Sequence, residues 1–204
     1  MIAIINYNMG NLGSVLNAFN KLKIKADIQS DADKLKNYDK LVLPGVGAFG
    51  DAMEHLKKFN LDSAIKDFAK SGRPILGVCL GMQLLLSKSY EFGEFEGLNL
   101  IEGEVVKFDK QKFDNSELKI PHMGWNEMFV TKETPLFNNL PKEFYLYFVH
   151  SYHAVTKEKF IIGKTYYGYE FASAINKDNI YGFQPHPEKS HDNGLKILQN
   201  FANL

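Results

Sequence analysis

The sequence holds one cysteine, and its neighbours single it out. Cys79 stands in Gly77-Val78-Cys79-Leu80-Gly81, after the apolar run Ile75–Val78 and before Met82-Gln83-Leu84-Leu85-Leu86. A short buried strand, a tight turn carrying a nucleophile and a helix form an elbow that presents the reactive atom above a sheet. Such a turn presses backbone against backbone, and Gly77 and Gly81 have no Cβ to clash. A sulfur at a helix N-terminus gains from the positive end of the helix dipole, which favours thiolate over thiol. A lone cysteine in an apolar strand also reads as a small buried hydrophobe. The flanking glycines tip the reading towards a nucleophile.

A cysteine nucleophile needs a base, and Gln184-Pro185-His186-Pro187-Glu188 offers one. Imidazole takes a thiol proton and returns it to a leaving amine. A carboxylate two residues along an extended segment lies on the same side and orients the ring. Alone, the segment reads as a surface turn; with Cys79 it makes a Cys79–His186–Glu188 triad for acyl transfer. The developing oxyanion then needs backbone donors. Leu80, next to the nucleophile, supplies one N–H, and Gly47 in Pro44-Gly45-Val46-Gly47-Ala48-Phe49-Gly50 supplies another. Gly47 tolerates a peptide flip, so that donor can be switched in or out. An ordinary strand-to-helix loop is the alternative for Pro44–Gly50.

Several function classes recede. His122, His150 and His153 fit no zinc spacing with a single cysteine and read as packed or exposed rings. No phosphate-binding glycine motif follows the first strand. Lys plus Arg and Asp plus Glu both number 24, so no net field points to nucleic acid or to an anionic membrane. One cysteine permits no internal disulfide, and no stretch has the length of a membrane span. The expected location is the cytoplasm.

The elements that must position these residues follow from periodicity. Strands are expected at Met1–Asn6 in the sheet centre, at Ala26–Gln29, Lys40–Leu43 and Ile75–Val78. Helices alternate with them at Leu12–Leu22, Asp51–Lys58 and Leu61–Lys70. That alternation implies a parallel sheet with right-handed crossovers. Beyond Gly97 the runs Val105–Phe108, Glu127–Thr131, Phe144–Val149, Phe160–Tyr167, Phe171–Asn176 and Ile180–Phe183 are rich in aromatic and β-branched residues and suggest added antiparallel strands. Asp109–Lys119 reads as a polar surface loop, and Asn193–Asn203 as a closing helix. The expected fold is α/β, a mostly parallel central sheet with helices on both faces, in a single domain over residues 1–204.

Gly77-Val78-Cys79-Leu80-Gly81-Met82-Gln83 with His186-Pro187-Glu188 resembles the class I, triad-type glutamine amidotransferases. Pro44–Phe49, Pro121-His122-Met123-Gly124-Trp125-Asn126 and Tyr147-Phe148-Val149-His150-Ser151-Tyr152 are similar to the glutaminase subunits of imidazole glycerol phosphate synthase, over about Ile4 to Phe201. The resemblance implies a flavodoxin-like domain that hydrolyses L-glutamine to glutamate and ammonia through Cys79, His186 and Glu188, with no cofactor and no metal. It places Gln83 and Glu91 where the family holds glutamine, with Ser151 and Tyr152 on the adjoining wall. It implies a HisF-type (β/α) barrel cyclase subunit as partner in a heterodimer; Lys189, directly after Glu188, and Tyr147 are the candidate contact residues, with a solvated lysine as the alternative for Lys189. That partner uses the ammonia to form imidazole glycerol phosphate and AICAR in histidine biosynthesis. Two positions depart from the pattern: Asn6-Tyr7-Asn8 replaces a more usual Asp-Tyr-Gly, and Pro185 replaces a common Phe. A paralogue feeding ammonia to amidine formation on a surface-polysaccharide sugar, a cysteine hydrolase of similar fold, and a non-enzymatic subunit with a packed Cys79 are the competing readings.

Overall fold

The structure is a computed structural model and describes residues 1–114 and 117–204. Asn115 and Ser116, within the expected Asp109–Lys119 loop, lie outside the described residues. The first half alternates as expected: β1 (Ile2–Ile5), α1 (Leu12–Lys21), β2 (Ala26–Gln29), β3 (Lys40–Leu43), α2 (Phe49–Lys58), α3 (Leu61–Lys70), β4 (Ile75–Val78) and α4 (Leu80–Leu84). Two short strands, β5 (Lys88–Ser89) and β6 (Phe95–Glu96), precede β7 (Gly103–Lys107). Then come β8 (His122–Val130), β9 (Glu143–His150), β10 (Tyr152–Thr156), β11 (Ile161–Tyr166), β12 (Glu170–Lys177) and β13 (Ile180–Phe183), and α5 (His191–Ala202) closes the chain.

All the strands belong to one sheet. Its parallel block runs β2-β1-β3-β4-β13, and β13 brings the segment bearing His186 beside β4, which bears Cys79. Beyond β13 the order continues β12-β10-β7-β5-β6, largely antiparallel, while β11, β8 and β9 extend from β12. The β1 strand therefore sits one place in from the edge, not at the centre; β3 holds the middle of the parallel block. Its side chains explain the expectation, because all four are buried, as a strand covered on both faces requires.

Alternation along the strands divides the core. Ile2, Ile4, Val42, Leu76 and Val78 pack on one face with Val15 and Phe19 of α1 and Ile197, Leu198 and Phe201 of α5. Ala3, Ile5, Leu41, Leu43 and Ile75 pack on the other with Leu56 of α2 and Ile65 and Phe68 of α3. Helices thus cover both faces. Each such fully buried side chain stabilises the fold by roughly 1.5–3 kcal/mol relative to exposure. The sequence reading missed β10, since Ser151 alone separates it from β9 and the two merge into one apolar run. It also found only the second half of β8, whose first residues carry Gly124 and Asn126 around the exposed Trp125.

Candidate active site

Cys79 occupies a backbone conformation that few residues other than glycine adopt, with φ 54° and ψ −113°. Its N–H donates to the carbonyl of Phe183 at 2.7 Å, which ties the turn to β13. The glycines around it leave no slack. A Cβ on Gly81 would lie 1.7 Å from the carbonyl oxygen of Leu43, and one on Gly77 would lie 2.7 Å from the backbone of Gly81 and Met82. The loop after β3 closes on the same turn. Tyr7 donates its hydroxyl to the Pro44 carbonyl at 2.8 Å, and a Cβ on Gly45 would meet that hydroxyl at 2.4 Å and Leu80 Cβ at 3.0 Å. Burial, and secondarily the charge of Cys79, hold the Tyr7 hydroxyl far above its ordinary range, so it stays a donor.

His186 follows β13 and is fixed at its backbone: its N–H donates to Tyr147 O at 2.9 Å, and its carbonyl accepts from Ser190 Oγ at 2.6 Å. Ser190 Oγ also accepts the Tyr147 N–H at 2.9 Å, which closes a knot between β9 and the His186–Glu188 segment. His186 Nδ1 meets Glu188 Oε1 at 2.7 Å, with both side chains buried. The carboxylate does not arrive along an extended segment as the sequence suggested. Pro187–Lys189 forms a single 3-10 turn that folds Glu188 back under the ring. Nε2 is buried without a hydrogen-bond partner and lies within electrostatic reach of the Cys79 sulfur. Burial pulls the imidazole pKa down, but the Cys79 sulfur and the Glu188 carboxylate outweigh it and push the ring up to about 10. The ring can therefore hold a proton delivered to it.

The donors expected for an oxyanion are placed differently. Leu80 is the first residue of α4, so its amide has no intrahelical acceptor. Gly47 has φ 109° in an exposed turn, and a Cβ there would meet Met9 Cε at 2.8 Å rather than any atom of the elbow. The φ of Gly47 lies in the region that glycine tolerates and other residues rarely adopt.

Gln83 and Glu91 both adjoin Tyr152. Gln83 Nε2 donates to the Tyr152 carbonyl at 3.1 Å and to Gln184 Oε1 at 2.9 Å. Gln184 Nε2 in turn points to Cys79 Sγ at 3.8 Å. Glu91 is half-buried and accepts the Phe49 N–H at 2.7 Å; burial raises its pKa, the Phe49 N–H opposes that, and Asp51 adds to it. Phe92, beside Glu91, is exposed and sets its ring edge-on to Tyr152 at 6.5 Å. Ser151 contributes its carbonyl, which accepts the Phe108 N–H at 3.0 Å. Lys189 holds its ammonium 6.0 Å from the Tyr147 ring, and Tyr147 meets Trp125 edge-on at 6.1 Å. Gln184 and Tyr7 were not singled out from the sequence. The signal for Gln184 was its place at the end of β13, where a fully buried amide needs partners on both ends.

A strained cysteine elbow beside a buried His–Glu pair, on a parallel sheet covered by helices on both faces, defines the class I glutamine amidotransferases. Residues 3–204 match the sequence model described as "Glutamine amidotransferase class-I", and the chain belongs to that family. Within it, the chain is 66% identical over 203 residues to "Imidazole glycerol phosphate synthase subunit HisH" of Sulfurimonas denitrificans, covering 99% of this chain and 97% of the relative. It is 57% identical to the protein of that name from Wolinella succinogenes, over the full length of both. Among solved structures, that of PurLQS from Thermotoga maritima superposes with a TM-score of 0.78 at 20% identity, over 99% of this chain and 97% of that one, and shares the fold. The protein is an enzyme, a glutaminase. No helix among the described residues is long and apolar enough to cross a membrane.

Proposed function

We propose that this chain is the ammonia-producing subunit of an imidazole glycerol phosphate synthase. The observation that carries the mechanism is the His186–Glu188 contact of 2.7 Å with Nε2 left unpaired and coupled to Cys79. The Cys79 thiol gives its proton to Nε2, and the sulfur attacks the side-chain carbonyl carbon of glutamine. The oxyanion is met by the Leu80 N–H and, once its peptide turns inward, by the Gly47 N–H. As the C–N bond breaks, His186 returns the proton and ammonia leaves. Water then attacks the thioester with His186 as base, releasing glutamate and restoring the thiol. Glu188 keeps the ring in the Nδ1–H tautomer throughout. Gln83, Glu91, Ser151 and Tyr152 form the wall that receives the glutamine backbone.

The partner is a HisF-type (β/α) barrel cyclase subunit in a cytoplasmic heterodimer. The outer face of the β8–β9 hairpin supports this: Met123 and Trp125 are exposed, and Tyr147 and Lys189 adjoin them beside the site. A docked barrel would receive ammonia next to where it forms. One oxyanion donor is worth about 2.7–4 kcal/mol, so inward rotation of Gly47 changes the rate roughly 100- to 1,000-fold. The test is glutamate release by the chain alone, with the barrel, and with barrel plus acceptor nucleotide. Slow hydrolysis alone and a large acceleration in the full mixture are expected. Equal rates in all three would remove the gate and the coupled partner.

A further inference from the structure

Two buried histidines take no part in the chemistry above, yet their hydrogen bonds lead to it. His150 Nδ1 lies 2.8 Å from the Tyr152 carbonyl oxygen, which can only accept, so Nδ1 carries the proton. His150 Nε2 is 2.9 Å from His122 Nδ1. With His150 neutral it accepts there, so His122 also carries its proton on Nδ1. His122 Nε2 is then the acceptor for Asn126 Nδ2 at 3.2 Å. Asn126 is itself fixed in orientation, donating to Tyr166 O at 2.9 Å and accepting the Glu127 N–H at 2.8 Å. A charge on His150 would set two N–H groups face to face at 2.9 Å, and a charge on His122 would set its Nε2–H against the Asn126 amide. The chain of bonds has one direction, from Asn126 through His122 and His150 to Tyr152.

The Tyr152 carbonyl receives a second donor, Gln83 Nε2, and from Gln83 the bonds continue to Gln184 and the Cys79 sulfur. We propose that His122 and His150 are positioning residues for glutamine binding, which fix the Tyr152 carbonyl and through it hold Gln83 and Gln184 in register with Cys79. This rests on the glutaminase reading of the site. Phe108, Phe148, Tyr167 and Phe171 enclose the two rings, and His153 and His186 are their titratable neighbours. His153 is itself engaged by the Tyr169 hydroxyl at 2.8 Å. Burial keeps both rings neutral at ordinary pH, His122 down to about 4. Apolar rings would fill the same space without demanding a partner at each nitrogen; a fully satisfied polar chain selects one geometry for its terminus.

The test uses the chain with its barrel partner and begins with wild-type glutamine turnover. His150→Phe keeps the ring packing and removes the donor to Tyr152. KM for glutamine is expected to rise about tenfold, equivalent to about 1.4 kcal/mol, with kcat within about threefold. His150→Asn places an amide N–H near the former Nδ1, and KM is expected to return to within about threefold of wild type. A folded His150→Phe with wild-type KM, or a His150→Asn as impaired as His150→Phe, overturns the proposal. Wild-type protein that does not hydrolyse glutamine overturns the underlying reading and the proposal with it. Ring 15N shifts of the wild type give a check independent of mutation: both histidines should be neutral Nδ1–H tautomers, and an Nε2–H tautomer in either one refutes the relay.

Discussion

Glu91 and Phe49 meet beside the site, where a Glu91 carboxylate oxygen accepts the Phe49 backbone N–H at 2.7 Å. Phe49 begins α2 two residues after Gly47, so the residue proposed to receive glutamine also ties down the end of the glycine loop. The carboxylate satisfies an amide that the helix start leaves without a partner, and its charge suits that end of the helix.

Two substitutions separate these jobs. In Glu91→Gln an amide oxygen can still accept from Phe49, but the charge that would meet a substrate ammonium is gone. KM for glutamine should rise roughly 10- to 100-fold, the size of a lost hydrogen bond to a charged group, with kcat little changed. Glu91→Ala frees the loop as well, so kcat should fall too. Steady-state kinetics on both decide it, and identical kcat values would detach the loop from Glu91.

Cys79→Ala should abolish synthesis from glutamine and leave synthesis from added ammonium salts nearly intact when the barrel is present. In the proposed division of labour, the cysteine makes ammonia and the partner consumes it. Equal loss with both nitrogen sources would contradict that division.

His186→Ala should lower glutamine hydrolysis by roughly three orders of magnitude or more, since no other group takes up and returns the proton. Glu188→Gln should cost less, because an amide oxygen can accept from Nδ1–H even without the charge. The comparison is made by turnover at saturating glutamine, and near-normal turnover without His186 would exclude it from the reaction.

Gly81→Ala should fail as a folding defect, because its new methyl would fall 1.7 Å from a main-chain carbonyl that cannot move without β3. Gly13→Ala is the contrasting control. Gly13 lies within α1 with open space around its Cβ position, and alanine there should stabilise by about 1 kcal/mol. Urea denaturation of both variants measures the difference.

Stability should decline on both sides of neutrality. His122 has its folded pKa lowered to about 4 from 6.5, chiefly by burial, so the unfolded chain binds more protons between those values. Its contribution is complete above about pH 6.5 and is lost as pH falls towards 4. His186 runs the other way: raised to about 10, it contributes below pH 6.5 and loses that contribution as pH climbs through 10. Urea midpoints from pH 4 to 10 should trace a dome. In His122→Phe the acid side should flatten only in part, because burial lowers His150 and His153 as well; an unchanged acid limb would show that His122 does not contribute to it.

Much of this was legible in the chain. The run Ile75–Val78 with Gly77 and Gly81 marked both strand and elbow, because steric demand at a tight turn leaves a residue-type signature. The strand–helix alternation gave the parallel block for the same kind of local reason. What stayed hidden depends on long-range register. Nothing near Tyr152 in sequence tells that its carbonyl is shared by Gln83 and His150. Glu188 reaches His186 through a turn rather than along a strand, although the pairing itself was foreseen. The β1 strand read as central because burial on both faces reports cover by helices, not distance from the sheet edge.

The hairpin of β8 and β9 has an outer and an inner consequence. Trp125 is paired in register with Tyr147, and the Tyr147 carbonyl holds the His186 N–H at 2.9 Å. The exposed Trp125 and the His186 imidazole are thus separated by one strand pairing and one hydrogen bond. A partner seated on Trp125 would therefore bear on the same strand pair whose backbone anchors His186.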